Sequence, residues 1–166
     1  MTEATPGDML QPALLDRLMD ESPGDARESR ERRVLSMSRL REAVLRDLDW
    51  LLNAGNLEPT GMLEDFPLVR ESVLNYGTPD LTGLTTSGLD ARRLAASIRE
   101  AIVRFEPRID PDSLDIRVDV DGADGGGRHR LAIVIDGLLW ANPAPEHLRL
   151  RTELDLETGH YRLERT

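Results

Sequence analysis

Apolar residues recur along this chain with two different periods, and the change from one to the other divides it. Met37, Leu40, Val44, Leu48 and Leu51 are spaced by three or four residues, which places them on one face of a helix. Arg39, Arg41, Arg46 and Asp47 fall mostly off that stripe. Asn53 and Gly55 supply a C-terminal stop. Trp50 lies close to the stripe and is expected to cover the edge of the core. A second, short helix is expected over Pro67 to Asn75, with Leu68, Val69, Val73 and Leu74 apolar. Asn75 and Gly77 then permit a left-handed exit, and Tyr76 and Pro79 fix the next turn. Ser87-Gly88-Leu89-Asp90 reads as a capping box with Asp in the usual Glu place. It predicts a helix to about Phe105, burying Leu94, Ile98, Ala101 or Ile102, and Phe105. Arg92, Arg93, Arg99 and Glu100 form its wet face.

Beyond this helix the period falls to two. Leu114, Ile116, Val118 and Val120 alternate with Asp115, Arg117, Asp119 and Asp121, as in a half-buried strand. Leu131 to Ile135 is apolar on both faces, as a central strand should be. Leu148, Leu150, Thr152, Leu154 and Leu156 alternate with charged residues in a third strand, and Tyr161 and Leu163 begin a short fourth. The strands expected are 114–121, 129–136 and 148–156, and their short links favour antiparallel neighbours. The class is α+β, with helices packed on one face of a three- or four-stranded antiparallel sheet.

Ahead of this single domain, 34–166, stands an acidic N-terminal helical arm, 1–33. Pro12 suits the first turn of a short helix, which puts Leu14, Leu15, Leu18 and Met19 on one face. A helix this short is marginal alone in water, so its apolar face is expected to dock. The dock is either the domain's own core, at the helix from 37 to 52, or another subunit.

Composition narrows the function classes. The chain has 166 residues, 31 acids and 21 basic residues, every one of the latter arginine, for a net charge of −10. That excess argues against a general nucleic-acid binder, and the absence of lysine removes it from any catalytic scheme. Without cysteine there is no disulfide or thiolate metal site. No stretch approaches the roughly 20 apolar residues of a membrane helix. Met1 to Asp20 has no signal-peptide pattern. The expectation is a cytoplasmic protein without membrane insertion.

Little in the chain points to catalysis. His129, His147 and His160 lie in different β segments, and none has a partner at helical ligand spacing. The glycines at 125–127 lack the Lys-Ser or Lys-Thr of a phosphate loop. No catalytic residue, metal or cofactor is assigned. The informative triplet is Glu106-Pro107-Arg108 after Phe105. Proline ends the helix and sets one carboxylate and one guanidinium at a corner. Two readings follow: an internal ion pair at a helix end, or a docking corner for a partner. Glu106 is also the candidate acid of a hydrolase. A guanidinium two residues away stabilises the charged carboxylate and opposes that role.

Several stretches carry a family resemblance. Arg39 to Asn53, Ser72 to Leu81, Phe105 to Arg108 and Leu14-Leu15-Asp16-Arg17-Leu18 resemble the TssE family of type VI secretion baseplate subunits. The wider family is that of phage tail baseplate wedge proteins, also labelled lysozyme-like. Its Glu-Pro-Arg signature maps here onto Glu106, Pro107 and Arg108. The resemblance covers most of residues 13–165. It implies a structural, non-enzymatic subunit that joins TssF and TssG in the wedge. It also implies that the subunit starts the sheath of TssB and TssC by strand addition at a sheet edge. Partner contacts are expected at Glu106, Pro107, Arg108, Tyr76, Leu14, Leu15 and Leu18. The alternatives are a peptidoglycan hydrolase using Glu106 and a small regulatory adaptor on the same fold.

Overall fold

The computed structural model describes residues 14, 16, 37–81, 90–119, 130–141 and 144–164. Helix α1 runs over Met37–Leu52, a single turn α2 over Pro67–Arg70, and α3 over Ala91–Phe105. Strands β1 (Asp115–Asp119), β2 (Arg130–Leu139), β3 (Glu146–Asp155) and β4 (Tyr161–Glu164) follow. They form one antiparallel sheet in the order β1-β2-β3-β4. Short links between consecutive strands leave this meander as the simplest path.

The register explains which residues are buried. Ile116, Ile135 and Leu150 sit in one row across the sheet, and Val118, Ile133, Thr152 and Leu163 in the next. A third row joins Leu131, Leu154 and Tyr161. All point to the face covered by α1 and α3, whose Leu40, Val44, Leu48, Leu51, Leu94, Ile98 and Ile102 complete the core. Each such aliphatic side chain contributes about 1.5–3 kcal/mol on full burial. Thr152 is the buried polar member of its row, and its hydroxyl donates to the Arg162 carbonyl at 2.9 Å. The opposite face is charged, with His147 Nε2 2.7 Å from Asp136 Oδ1 and Arg151 3.6 Å from Glu164.

Asn53 does more than end α1. Its side-chain oxygen accepts from Tyr161 N at 2.9 Å, and its amide donates to Tyr161 O at 3.1 Å. One side chain thus stands in for a neighbouring strand and ties the helix end to β4. Glycine at 55 is not left-handed; among the described residues only Gly61, Gly77 and Gly159 have positive φ.

Three local expectations change. The helix foreseen over 67–75 breaks at Ser72, whose φ of −91° and ψ of 171° are extended. Its hydroxyl donates to Val69 O and accepts from Leu74 N, so it closes α2 and opens a separate 3-10 turn, Val73–Asn75. As a result Leu68, Val73 and Leu74 face solvent. The α3 N-cap is Asp90 itself, accepting from the N–H groups of Arg92 and Arg93. Ser87, Val120, Asp121, His129 and the 122–127 glycine loop lie outside the described residues. Trp50 does not cover the core edge: it is 51% exposed, with the Arg46 guanidinium carbon 5.3 Å from its ring centroid.

Candidate functional site

Helix α3 must stop at Phe105 because Pro107 excludes the residue before it from the α region. Glu106 accordingly adopts φ −125° and ψ 74°, while its N–H still closes the last helical turn on Ile102 O at 2.8 Å. The chain then joins the end of the sheet. Trp140 N donates to Arg108 O at 2.8 Å, and Asp110 N donates to Leu138 O at the same distance. Between them Ile109 is 1% exposed. Arg108 is therefore clamped between a helix end and a strand end.

The charged groups turn inward from this clamp. Glu106 is 3% exposed. Its Oε1 accepts from Arg108 N at 3.2 Å and Arg108 Nε at 2.6 Å, and its Oε2 accepts from Arg108 Nη2. Nη2 also donates to Asp47 Oδ2 on α1. The network continues outward, with Arg46 Nε donating to Asp47 Oδ1 at 2.9 Å and Arg46 Nη2 to Asp16 Oδ1 at 2.8 Å. Asp16 Oδ2 lies 3.9 Å from Arg108 Nη1, a buried nitrogen without a hydrogen-bond acceptor among the described residues. Burial works to lower the Arg108 pKa, but the hydrogen bond and charge of Glu106, then those of Asp47, leave it raised. A bidentate guanidinium–carboxylate pair of this kind is geometrically demanding and holds its shape.

Apolar surface surrounds the charged centre. Pro107 is exposed at the tip of the corner. Trp140, whose backbone binds Arg108, is 61% exposed. Trp50 follows Asp47 by three positions on α1, with the Arg46 guanidinium over its ring, and neither tryptophan of the chain belongs to the core. Tyr76 packs edge-on against Phe105 with ring centroids 5.1 Å apart. Burial raises its phenol pKa, and the charges of Asp47 and Glu106 add to that.

Of the residues singled out from sequence, Glu106, Pro107, Arg108 and Tyr76 gather at the end of α3. Leu14 is helical and 72% exposed, so it is not packed on α1, while Asp16 of the same arm joins the ion network. Leu15 and Leu18 lie outside the described residues. Sequence reasoning missed Asp16, Arg46, Asp47 and Trp140. Asp47 and Arg108 are 61 positions apart, and no spacing rule connects them. A tryptophan directly after an apolar strand was the available signal for Trp140.

As a hydrolytic acid, Glu106 is poorly placed. Its carboxylate is buried and both oxygens are held by Arg108, so it is closed off from solvent. The described residues also contain no group of three His, Asp or Glu side chains that could hold a metal.

Residues 38–144 match the family model described as baseplate wedge protein gp25. The match spans nearly all of α1, all of α2, α3, the corner, β1 and β2. A chain of the solved structure "The baseplate complex from the type VI secretion system" is 18% identical, with a TM-score of 0.45. That similarity covers 78% of this chain and 97% of the other. No curated protein matches.

Proposed function

The chain belongs to the baseplate wedge protein gp25 family, and on that premise we propose that it is a TssE-like structural subunit of a type VI secretion baseplate. A structural baseplate role is what the family supplies. The type VI assignment is supported by the stretches Arg39 to Asn53 and Ser72 to Leu81 that resemble TssE.

The proposed contact with the wedge subunits TssF and TssG is made at the Glu106-Pro107-Arg108 corner. The observation that carries this reading is the division of labour there. Glu106, Arg108 and Asp47 bind one another and fix the backbone, while Pro107, Trp140 and Trp50 are left facing solvent. Exposed tryptophans together with a half-buried arginine have the composition of an interface centre. In this reading the charged pair positions the corner and the apolar rim touches the partner. Leu14, Leu15 and Leu18 of the arm extend the contact.

Sheath initiation is assigned to the outer strands. Among the described residues β1 and β4 are the outer strands of the sheet, each paired on one side, which leaves each an edge of backbone groups for an added strand. A terminal strand of TssB or TssC adds to one of these edges, with main-chain hydrogen bonds supplying affinity. Assembly takes place on the cytoplasmic side.

Co-purification of the full chain with TssF and TssG, alongside a peptidoglycan turbidity assay, tests the proposal. Stable co-migration without clearing of cell-wall suspensions is expected. Failure to co-migrate, or clearing that Glu106→Gln abolishes, would overturn it.

A further inference from the structure

A second group of exposed apolar side chains lies on the segment that leads into Tyr76. Met62, Phe66, Leu68, Val73 and Leu74 are 61%, 58%, 83%, 77% and 69% exposed, all on the short segment around α2. Scattered apolar residues on a surface need no explanation, but a cluster of large ones on one segment does.

This segment is held firmly. Asn75 is 2% exposed; its side chain accepts from Leu57 N at 2.9 Å and donates to Arg70 O at 3.0 Å. Arg104 of α3 donates to the same Arg70 carbonyl at 3.0 Å. Arg70 Nε binds Glu58 Oε1 at 2.7 Å, and Leu63 anchors the segment from below at 7% exposed. The apolar side chains are thus displayed on a fixed backbone, which reduces the ordering cost of binding.

The charges around them are one-sided. Glu64, Asp65 and Glu71 are exposed and make no ion pair among the described residues. Arg70, the segment's own cation, is occupied by Glu58. A second copy of this chain would bring the same acids to the contact, and its net charge of −10 adds to the repulsion.

We propose that this face binds an amphipathic helix of another protein, one whose apolar anchors are flanked by arginine or lysine. Leucine-sized anchors at i, i+3 or i+4 and i+7 would cover Leu68, Val73 and Leu74, and the flanking cations would meet Glu64, Asp65 and Glu71. The apolar side chains of this face are different from those of the corner, and the proposal does not depend on the identity of the wedge partners.

The test uses the full isotope-labelled chain and a synthetic amphipathic helix of about 18 residues with leucine anchors and arginine flanks. A second peptide carries glutamate in the flanks. Amide shifts centred on residues 62–74 are expected with the arginine peptide and none with the glutamate peptide. Leu68→Glu adds a negative charge at a side chain too exposed to matter for folding. Docking on the apolar face predicts about tenfold weaker binding for this variant, whereas attraction to charge alone predicts tighter binding. Tighter or unchanged binding, equal binding of both peptides, or shifts centred elsewhere would overturn the proposal. So would a Leu68→Glu variant that, without peptide, shifts amides of residues 15–36, since the occupant would then be this chain's own arm.

Discussion

Arg108 reaches back around Pro107 to hold both carboxylate oxygens of Glu106, two positions earlier in the chain. The pair closes a loop of minimal length, and the proline has already set its shape. What it adds to the fold is the third contact, from Arg108 to Asp47 on α1. This contact fixes the end of α3 against the middle of another helix.

Removing one member should therefore be felt by the free protein. Glu106→Ala leaves a guanidinium, only 19% exposed, with Asp47 as its hydrogen-bonded carboxylate. A loss of about 3 kcal/mol is expected, the lower end for breaking a buried pair. Urea unfolding measures it, with an unchanged slope showing that the native state stays compact. A pair that served docking alone would leave this stability untouched.

Gly77 should be intolerant of any side chain. Its φ is +118°, and a Cβ there would lie 2.1 Å from the carbonyl oxygen of Ala54. That close approach lets Thr78 N donate to Ala54 O and Asn56 N to Thr78 O, which stitches the loop after α1 to the segment before α3. Gly77→Ala is expected to cost more than about 2 kcal/mol, by strain and by loss of this bridge. Thermal unfolding checks it.

High pH should act through Tyr161. Burial pushes its hydroxyl from the ordinary value of 10 up to about 12. The folded protein keeps this proton while the unfolded chain loses it, so the unfolded state binds fewer protons. The contribution to stability is whole below pH 10 and is lost as pH rises through about 12. The expected loss is about 2–3 kcal/mol, and Tyr161→Phe should remove this part of the pH dependence. Denaturation midpoints across that range measure it.

The sheet edges offer a separable prediction. Prolines placed where the N–H groups of β1 and β4 face outward remove the donors an added strand needs. TssB–TssC polymerisation on the baseplate should stop, and binding to TssF and TssG should persist. Normal sheath growth with prolines on both edges would rule out strand addition.

Much of this fold was legible because it rests on periodic burial. The stripe from Met37 to Leu51 predicts α1, and the alternation in β1 and β3 predicts inner and outer faces that the register confirms. Pro107 marks the end of α3 for a local steric reason. What was not legible depends on contacts between distant segments. β2 continues to Leu139 rather than stopping at 136, since Gly137, Leu138 and Leu139 keep pairing with Leu148, His147 and Glu146 of β3. Ser72 breaks a helix whose apolar spacing looked continuous, since its hydroxyl competes for the backbone. Trp50 lies near an apolar stripe yet turns outward to Arg46, whose partners Asp47 and Asp16 come from two elements. The corner was visible as a triplet; the network that holds it was not.

In the proposed complex the corner docks through its apolar rim while its charges hold it in place. The direct measurement is the affinity of a TssF–TssG complex for the full chain and for Trp50→Ala and Trp140→Ala. Both indoles are more than half exposed, so the melting temperature of each variant should match that of the parent. An interface centred here predicts a loss of about 2 kcal/mol per tryptophan, roughly thirtyfold in affinity. Undiminished affinity in the double variant would rule out docking through this rim.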